Sequence, residues 1–145
     1  MGKIVCRRFQ ARDLADIIKL EAACFGDDPW PPEEFKKLLA RGASAFVIGK
    51  PARAALWLRP RSRHYFEVVN VATSPKWQRK GYAKKLLVKA ISFAKEQKKH
   101  GLALHVHVSN TAAVRLYESF GFKKVRRYVR YYGRKDAWRM RVRFQ

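Results

Sequence analysis

An α/β domain with a mixed sheet is predicted by this sequence from three observations. Short β-rich runs alternate with stretches of helical periodicity along the chain. A long β-rich run, Tyr65–Thr73, is followed by an amphipathic helix and then by a second run, Leu102–Val108, and that order requires a right-handed crossover between parallel strands. The last run, Ala137–Phe144, sets Trp138, Met140, Val142 and Phe144 against Arg139, Arg141 and Arg143 with the period of a half-buried strand.

Each element has its own warrant. Ile4–Arg8 reads as a short strand, after which Asp13 is expected to cap a helix carrying Leu14, Ile17, Ile18, Ala22 and Phe25 at 3–4 spacing. Gly26-Asp27-Asp28-Pro29 ends that helix, and Pro31-Pro32 opens a second over Glu33–Leu39, with Glu33 and Glu34 where the helix dipole favours acids. Ala45–Ile48 and Ala52–Leu58 read as a strand pair turned at Gly49-Lys50-Pro51, followed by a basic loop, Arg59-Pro60-Arg61-Ser62-Arg63. A helix over 81–99 sets Leu87, Ala90, Ile91 and Ala94 on one face and Lys84, Lys85, Lys89, Lys95 and Lys98 on the other. A final helix, Thr111–Ser119, stops before Gly121, and two strands follow.

Composition bounds the function. The chain has 145 residues, 33 Lys+Arg against 11 Asp+Glu, a formal charge of +22, and 48% apolar residues, which excludes an acidic or weakly hydrophobic disordered protein. About 150 residues suffice for one core, so residues 1–145 are expected to form one domain. No apolar stretch approaches the roughly 20 residues of a membrane helix, and MGKIVCRRFQ lacks the features of a secretory signal, so a cytoplasmic protein is expected. Cys6 and Cys24 are read as reduced, and the four histidines lack partners at metal-ligand spacing.

Two segments carry chemistry. Trp77-Gln78-Arg79-Lys80-Gly81-Tyr82-Ala83 joins a strand to a helix, where backbone N–H groups and the positive dipole end converge on one spot suited to a phosphate. One strand later stands Ser109-Asn110-Thr111-Ala112-Ala113-Val114-Arg115-Leu116-Tyr117-Glu118-Ser119-Phe120-Gly121-Phe122. Together they resemble the GNAT superfamily of acetyl-CoA-dependent N-acetyltransferases: the first its Q/R-x-x-G-x-G/A pyrophosphate loop, the second its N-x-x-A-x-x-L-Y-x-x-x-G-F signature. Phe25–Pro31 and the run from Tyr131-Tyr132 to Asp136-Ala137 further resemble the F-x-x-x-PW and YY…DA segments of RimI-type and archaeal N-terminal acetyltransferases.

The resemblance implies a single-domain GNAT fold, a mostly antiparallel sheet flanked by helices whose central parallel strands splay apart. It implies acetyl-CoA as cofactor, its pyrophosphate on Gln78, Arg79, Lys80, Gly81, Tyr82 and Ala83, and its pantetheine arm along Val71, Ala72 and Thr73 with Asn110 at the edge. Asn110 also suits an Asx-type cap for the helix that follows. Tyr117 matches the family tyrosine that protonates the departing thiolate, and a phenol is protonated at neutral pH. Many RimI-type enzymes have Glu where this chain has His105. A related branch has His there, holding with a tyrosine a water that takes the amine proton, and Glu67 occupies that tyrosine's position here. Glu67 and His105 are therefore expected to share the water, since histidine titrates near neutral pH. The acceptor is expected between Phe25, Trp30, Tyr131 and Tyr132.

The charge requires its own cause. Lys123, Lys124, Arg126, Arg127, Arg130, Arg134 and Lys135, followed by Arg139, Arg141 and Arg143, are interleaved with aromatics, a pattern expected of ribosome or RNA contact. The function expected is acetyl transfer to an amine, first of all a protein N-terminal α-amine. The alternatives are a lysine, polyamine or RNA-linked amine, or an RNA- or ribosome-binding protein on a GNAT scaffold.

Overall fold

The computed structural model describes residues 5–131 and 135–145. Seven strands, β1 (Cys6–Arg8), β2 (Ser44–Ile48), β3 (Ala54–Pro60), β4 (Tyr65–Thr73), β5 (Gly101–His107), β6 (Lys123–Tyr128) and β7 (Ala137–Arg143), make one sheet in the order β1-β2-β3-β4-β5-β7-β6. Every neighbouring pair is antiparallel except β4 with β5. Four helices flank it: α1 (Leu14–Phe25), α2 (Pro32–Ala40), α3 (Tyr82–Glu96) and α4 (Thr111–Ser119). The crossover from β4 through α3 to β5 is the one the sequence requires, because α3 carries a continuous apolar stripe, Leu86, Leu87, Ala90 and Ala94, all buried on the sheet.

The sheet separates two apolar clusters. On one face α3 and α4 pack on Phe46, Leu56, Leu58, Leu102, Leu104, Met140 and Val142. On the other, α1 and α2 bring Ile17, Leu20, Phe35 and Leu38 onto Val47, Ala55, Trp57 and Ala72, so this second cluster sits over β2, β3 and the far end of β4.

Two features of β4 open the sheet and aim its side chains. Its register against β3 slips between Trp57 and Leu58, which pair with Asn70 and Val68 and leave Val69 as the extra residue of a bulge. Side chains alternate along a strand, so the extra residue turns Asn70 and Ala72 onto the α1 face, where Glu67 also lies, and Val71 onto the α3 face. The ladder between β4 and β5 runs from Tyr65↔Gly101 to Val68↔Leu104 and ends there, while both strands continue. Beyond Val68 the two strands part.

Asp13 stands at the N-cap position of α1 as expected, but its side chain makes no capping hydrogen bond. Asp13 lies in a single 3-10 turn before α1, buried, and accepts from the Gln10 backbone N–H (2.8 Å) and from both Arg7 guanidinium nitrogens (2.8 Å each). It ties β1 to α1 rather than capping the helix. The buried face of α1 is Ile17, Leu20 and Glu21, with Ala22 and Phe25 exposed. Arg59 and Pro60, expected in a loop, extend β3.

Candidate active site

Where β4 and β5 part, a cleft of about 1040 Å³ passes between them. Val68–Val71 and Leu104–His107 form its walls, Asn110, Ala113 and Tyr117 close it on the α4 side, and Phe25 at the end of α1 with Asp27, Asp28 and Trp30 of the α1–α2 loop border the other. A residue at the end of a ladder keeps backbone groups that its partner strand no longer satisfies, so the walls here present peptide groups as well as side chains.

His105 lies at the base of the opening with 11% of its side chain exposed. Its Nδ1 is 3.9 Å from Glu67 Oε2, and the Tyr131 ring stacks on the imidazole at 4.4 Å and 16°, with Tyr128 edge-on at 5.3 Å. Burial pushes its pKa below the ordinary histidine value; Glu67 opposes that shift, and Arg139, Arg61 and Arg59 reinforce it. The ring is therefore held neutral at neutral pH, the form that accepts a proton. Glu67 is buried beside the cleft, 3% exposed, and its Oε1 accepts from Arg59 Nη2 at 2.7 Å. The two residues expected to share a water, Glu67 and His105, are brought within 3.9 Å of each other across β4 and β5. Arg59 was hidden from sequence reasoning by its place in an assumed loop.

Asn110 Oδ1 accepts from the Ala113 N–H (3.2 Å), so its side chain is the N-cap of α4 while the residue borders the cleft. The cap fixes where α4 starts, and Tyr117, two turns on, is thereby set against Phe122 and into the cleft.

At the other parallel-strand exit, Gly81 has a left-handed backbone (φ 78°), and nothing lies within 4 Å of where a Cβ would stand. Arg79 is also left-handed (φ 63°), so the chain turns sharply into α3 and leaves the first-turn amides unsatisfied by the helix. Such amides at a helix start can face an anion, as expected of this loop. Two expected members contribute less than their side chains suggested. Tyr82 is buried in the core with its hydroxyl accepting from Arg53 (3.3 Å), and Gln78 Nε2 donates back to Thr73 O (3.2 Å). Of Tyr82 only the backbone N–H is available to a phosphate. Ala72 faces the α1 side of β4, so along the expected pantetheine path it could present only its backbone.

Sequence reasoning missed Glu21. It is 3% exposed, accepts from the Trp30 N–H (2.8 Å) and from Asn70 Nδ2 (2.9 Å), and borders the cleft. One buried carboxylate thus pins the α1–α2 loop to β4 just past the bulge, with Cys24 Sγ donating to Thr73 O (3.2 Å) as a second tie. The signal was an acid four residues after Ile17 on an apolar stripe. Trp30 packs on Phe35 (5.5 Å), and Phe25 is 40% exposed at the cleft mouth. Tyr132 lies outside the described residues.

Residues 14–122 match the Acetyltransferase (GNAT) family. The chain belongs to this family. N-alpha-acetyltransferase RimI of Mycobacterium tuberculosis is 35% identical to it over 139 residues, 89% of this chain and 85% of that protein. Among solved structures, the ribosomal-protein-S18-alanine N-acetyltransferase of Escherichia coli superposes with a TM-score of 0.89 at 24% identity, over 97% of this chain and 94% of that one. The NatC complex bound to Gag peptide and CoA does so with a TM-score of 0.85 at 23% identity, covering 99% of this chain and 100% of the matched one. Those likenesses show the GNAT fold. This chain is an acetyltransferase, and GNAT acetyltransferases take their acetyl group from acetyl-CoA. Among the described residues no helix is long and apolar enough to cross a membrane, and no cluster could hold a metal.

Proposed function

We propose that this GNAT domain acetylates protein N-terminal α-amines in the cytoplasm. One observation carries the reading: a histidine held neutral by burial stands at the parting of β4 and β5, in the same cleft as Tyr117. An α-amine is about one-tenth neutral at pH 7, a lysine ε-amine well under a thousandth, so a base of histidine strength suits the former. The relative named for N-alpha acetylation supports the same acceptor.

The residues fit acetyl-CoA. Gly81 offers the open, left-handed turn that a pyrophosphate needs, with the amides of Tyr82 and Ala83 and the charges of Arg79 and Lys80 around it, and β4 past Val68 has no β5 partner along Val71–Thr73. When bound there, acetyl-CoA supplies an activated acetyl thioester. His105 takes the proton of the incoming ammonium. Glu67 Oε2 then faces the imidazolium at 3.9 Å, while Arg59 holds the Glu67 carboxylate in place by donating to its Oε1. Glu67 is thus a positioning residue. Tyr117 holds on its Oη the proton that a departing thiolate requires, and the Phe25–Trp30 loop and Tyr131 flank the acceptor. The finer partner reading, ribosome or RNA contact through Lys123, Lys124, Arg126, Arg127, Arg130, Arg139, Arg141 and Arg143, rests on charge. The rings do not support it: Trp138 and Tyr128 are covered by the chain's own Lys124, Arg127 and Arg126.

The test is acetyl-CoA turnover against peptides with free N-termini, N-blocked lysine peptides and spermidine. Acetylation of free N-termini at ten or more times the efficiency of the other two is expected; equal or faster turnover of either refutes the reading.

A further inference from the structure

The face of the sheet that α1 and α2 share is only half covered. Their apolar cluster includes residues of β2, β3 and β4 and none of β5, β6 or β7. Yet Ala103, in the middle of β5, is 0% exposed while belonging to neither apolar cluster. Its register neighbours explain the burial. Glu67, Ala103 and Arg141 stand side by side across β4, β5 and β7; Arg59 bonds Glu67 on one flank, and the Arg141 guanidinium lies over the Tyr65 ring at 5.6 Å on the other. Arginine stems pave this half of the sheet in place of a helix, as long cationic side chains can.

The pavement is not charge-balanced. Glu67 is the single acidic residue in β4, β5, β6 and β7, and Arg59 already occupies it. Arg139 pairs in register with His105, Arg141 with Ala103 and Arg143 with Gly101, so three guanidiniums follow one another on the face that starts at His105. Among the described residues no oxygen accepts from Arg139 Nη1, although that atom is buried. A buried donor left unmatched is costly and indicates a missing acceptor.

We propose that this arginine-paved half-face receives the acceptor chain beyond its first residue and selects acceptors with Asp or Glu at about positions two to five. The proposal rests on the N-terminal reading above. Its length follows from strand geometry: same-face residues are about 6.7 Å apart, so His105 to Gly101 spans about 13 Å, the reach of about four extended residues. Continuity with His105 favours the acceptor itself over nucleic acid, and the rings bordering the face, Tyr65 and Tyr128, are already stacked by Arg141 and Arg126. An exposed ion pair changes affinity roughly two- to fivefold, so two acidic side chains meeting this face give roughly tenfold.

The experiment uses peptides with one common first residue and Asp/Glu, Asn/Gln or Lys at positions two to five. The full chain and its Arg141→Gln, Arg141→Glu and Arg139→Gln variants are assayed at 50 and 300 mM salt. Expected is a kcat/KM ratio of acidic to neutral peptide near ten at low salt, expressed in KM, falling toward one in Arg141→Gln and Arg139→Gln. Arg141→Glu should move the preference toward the Lys peptide, an inversion that a merely structural arginine would not produce. Equal use of acidic and neutral peptides, or a preference that survives all three substitutions, overturns the proposal. Binding of the same peptides, read by fluorescence anisotropy, separates the two readings. If no peptide is acetylated but the acidic one still binds more tightly and loses that advantage in Arg141→Glu, the face stands and the N-terminal reading falls. If a single-stranded RNA displaces the acidic peptide at lower concentration than the peptide's own dissociation constant, the face belongs to nucleic acid and the proposal is overturned.

Discussion

Replacing Glu67 and Arg59 separately should move the acidic limb of kcat/KM in opposite directions. His105 is neutral because burial lowers its pKa; Glu67 raises it and Arg59 lowers it. Glu67→Gln removes the raising charge, so the limb moves to lower pH. Arg59→Gln removes a lowering charge and releases Glu67 from its 2.7 Å partner, so the limb moves to higher pH. At the observed 3.9 Å, an unscreened pair at an effective dielectric of ~20 is worth about 4 kcal/mol, or ~3 pH units. Arg59 offsets part of the Glu67 field, so that figure is an upper bound on the downward shift for Glu67→Gln, and the upward shift for Arg59→Gln is the smaller of the two. The assay is kcat/KM for one peptide from pH 5 to 9, with acetyl-CoA saturating. Both limbs moving the same way, or Glu67→Gln losing activity equally at all pH values with no shift, would mean that Glu67 is itself the proton acceptor.

Three further outcomes are expected. Tyr117→Phe should lower turnover about 10²–10⁴-fold, the span for a positioned proton donor, with acetyl-CoA affinity within about twofold of the parent by calorimetry. Gly81→Glu should abolish the rise in Tm produced by acetyl-CoA; the free protein should lose only about 1 kcal/mol, because the residue is left-handed but meets no neighbour. Asp13→Asn should cost about 2–3 kcal/mol near neutral pH by thermal unfolding. Arg7 and the Gln10 N–H hold the Asp13 carboxyl below its ordinary pKa, so its contribution is full above the unfolded aspartate pKa and is lost as pH falls through the lowered value. The parent and Asp13→Asn stability curves should therefore converge in acid.

Much of the architecture was legible because local and tertiary demands agreed. β4 and α4 have the bounds the sequence implied, Tyr65–Thr73 and Thr111–Ser119, since each is flanked by residues that can only stop it. The alternation of Trp138, Met140 and Val142 against three arginines reports the true faces of β7. Glu67, His105, Asn110 and Tyr117 were found on the strands and helix expected, and all but Glu67 border the cleft. What could not be read was anything set by a partner distant in sequence. Glu21 owes its burial to Asn70, 49 positions away, and Arg59 belongs to a strand only because Glu67 pairs opposite it. Asp13 looked like a cap because its spacing to Leu14 fits one; Arg7, six positions earlier, claimed its oxygens instead.

The bulge at Val69 works as a phase shifter in space. Pairing that one residue opposite Trp57 instead of leaving it out of the ladder would shift every later residue of β4 by one place and turn its side chain to the other face, setting Asn70 against Leu56 and Leu58 and aiming Val71 at Glu21. Replacing Val69 with another residue preserves the phase, whatever the new side chain. Dropping the residue would leave Asn70 opposite Trp57 and Val71 opposite Leu56 as they already stand, and would remove only the bend that the bulge gives β4 beside the cleft.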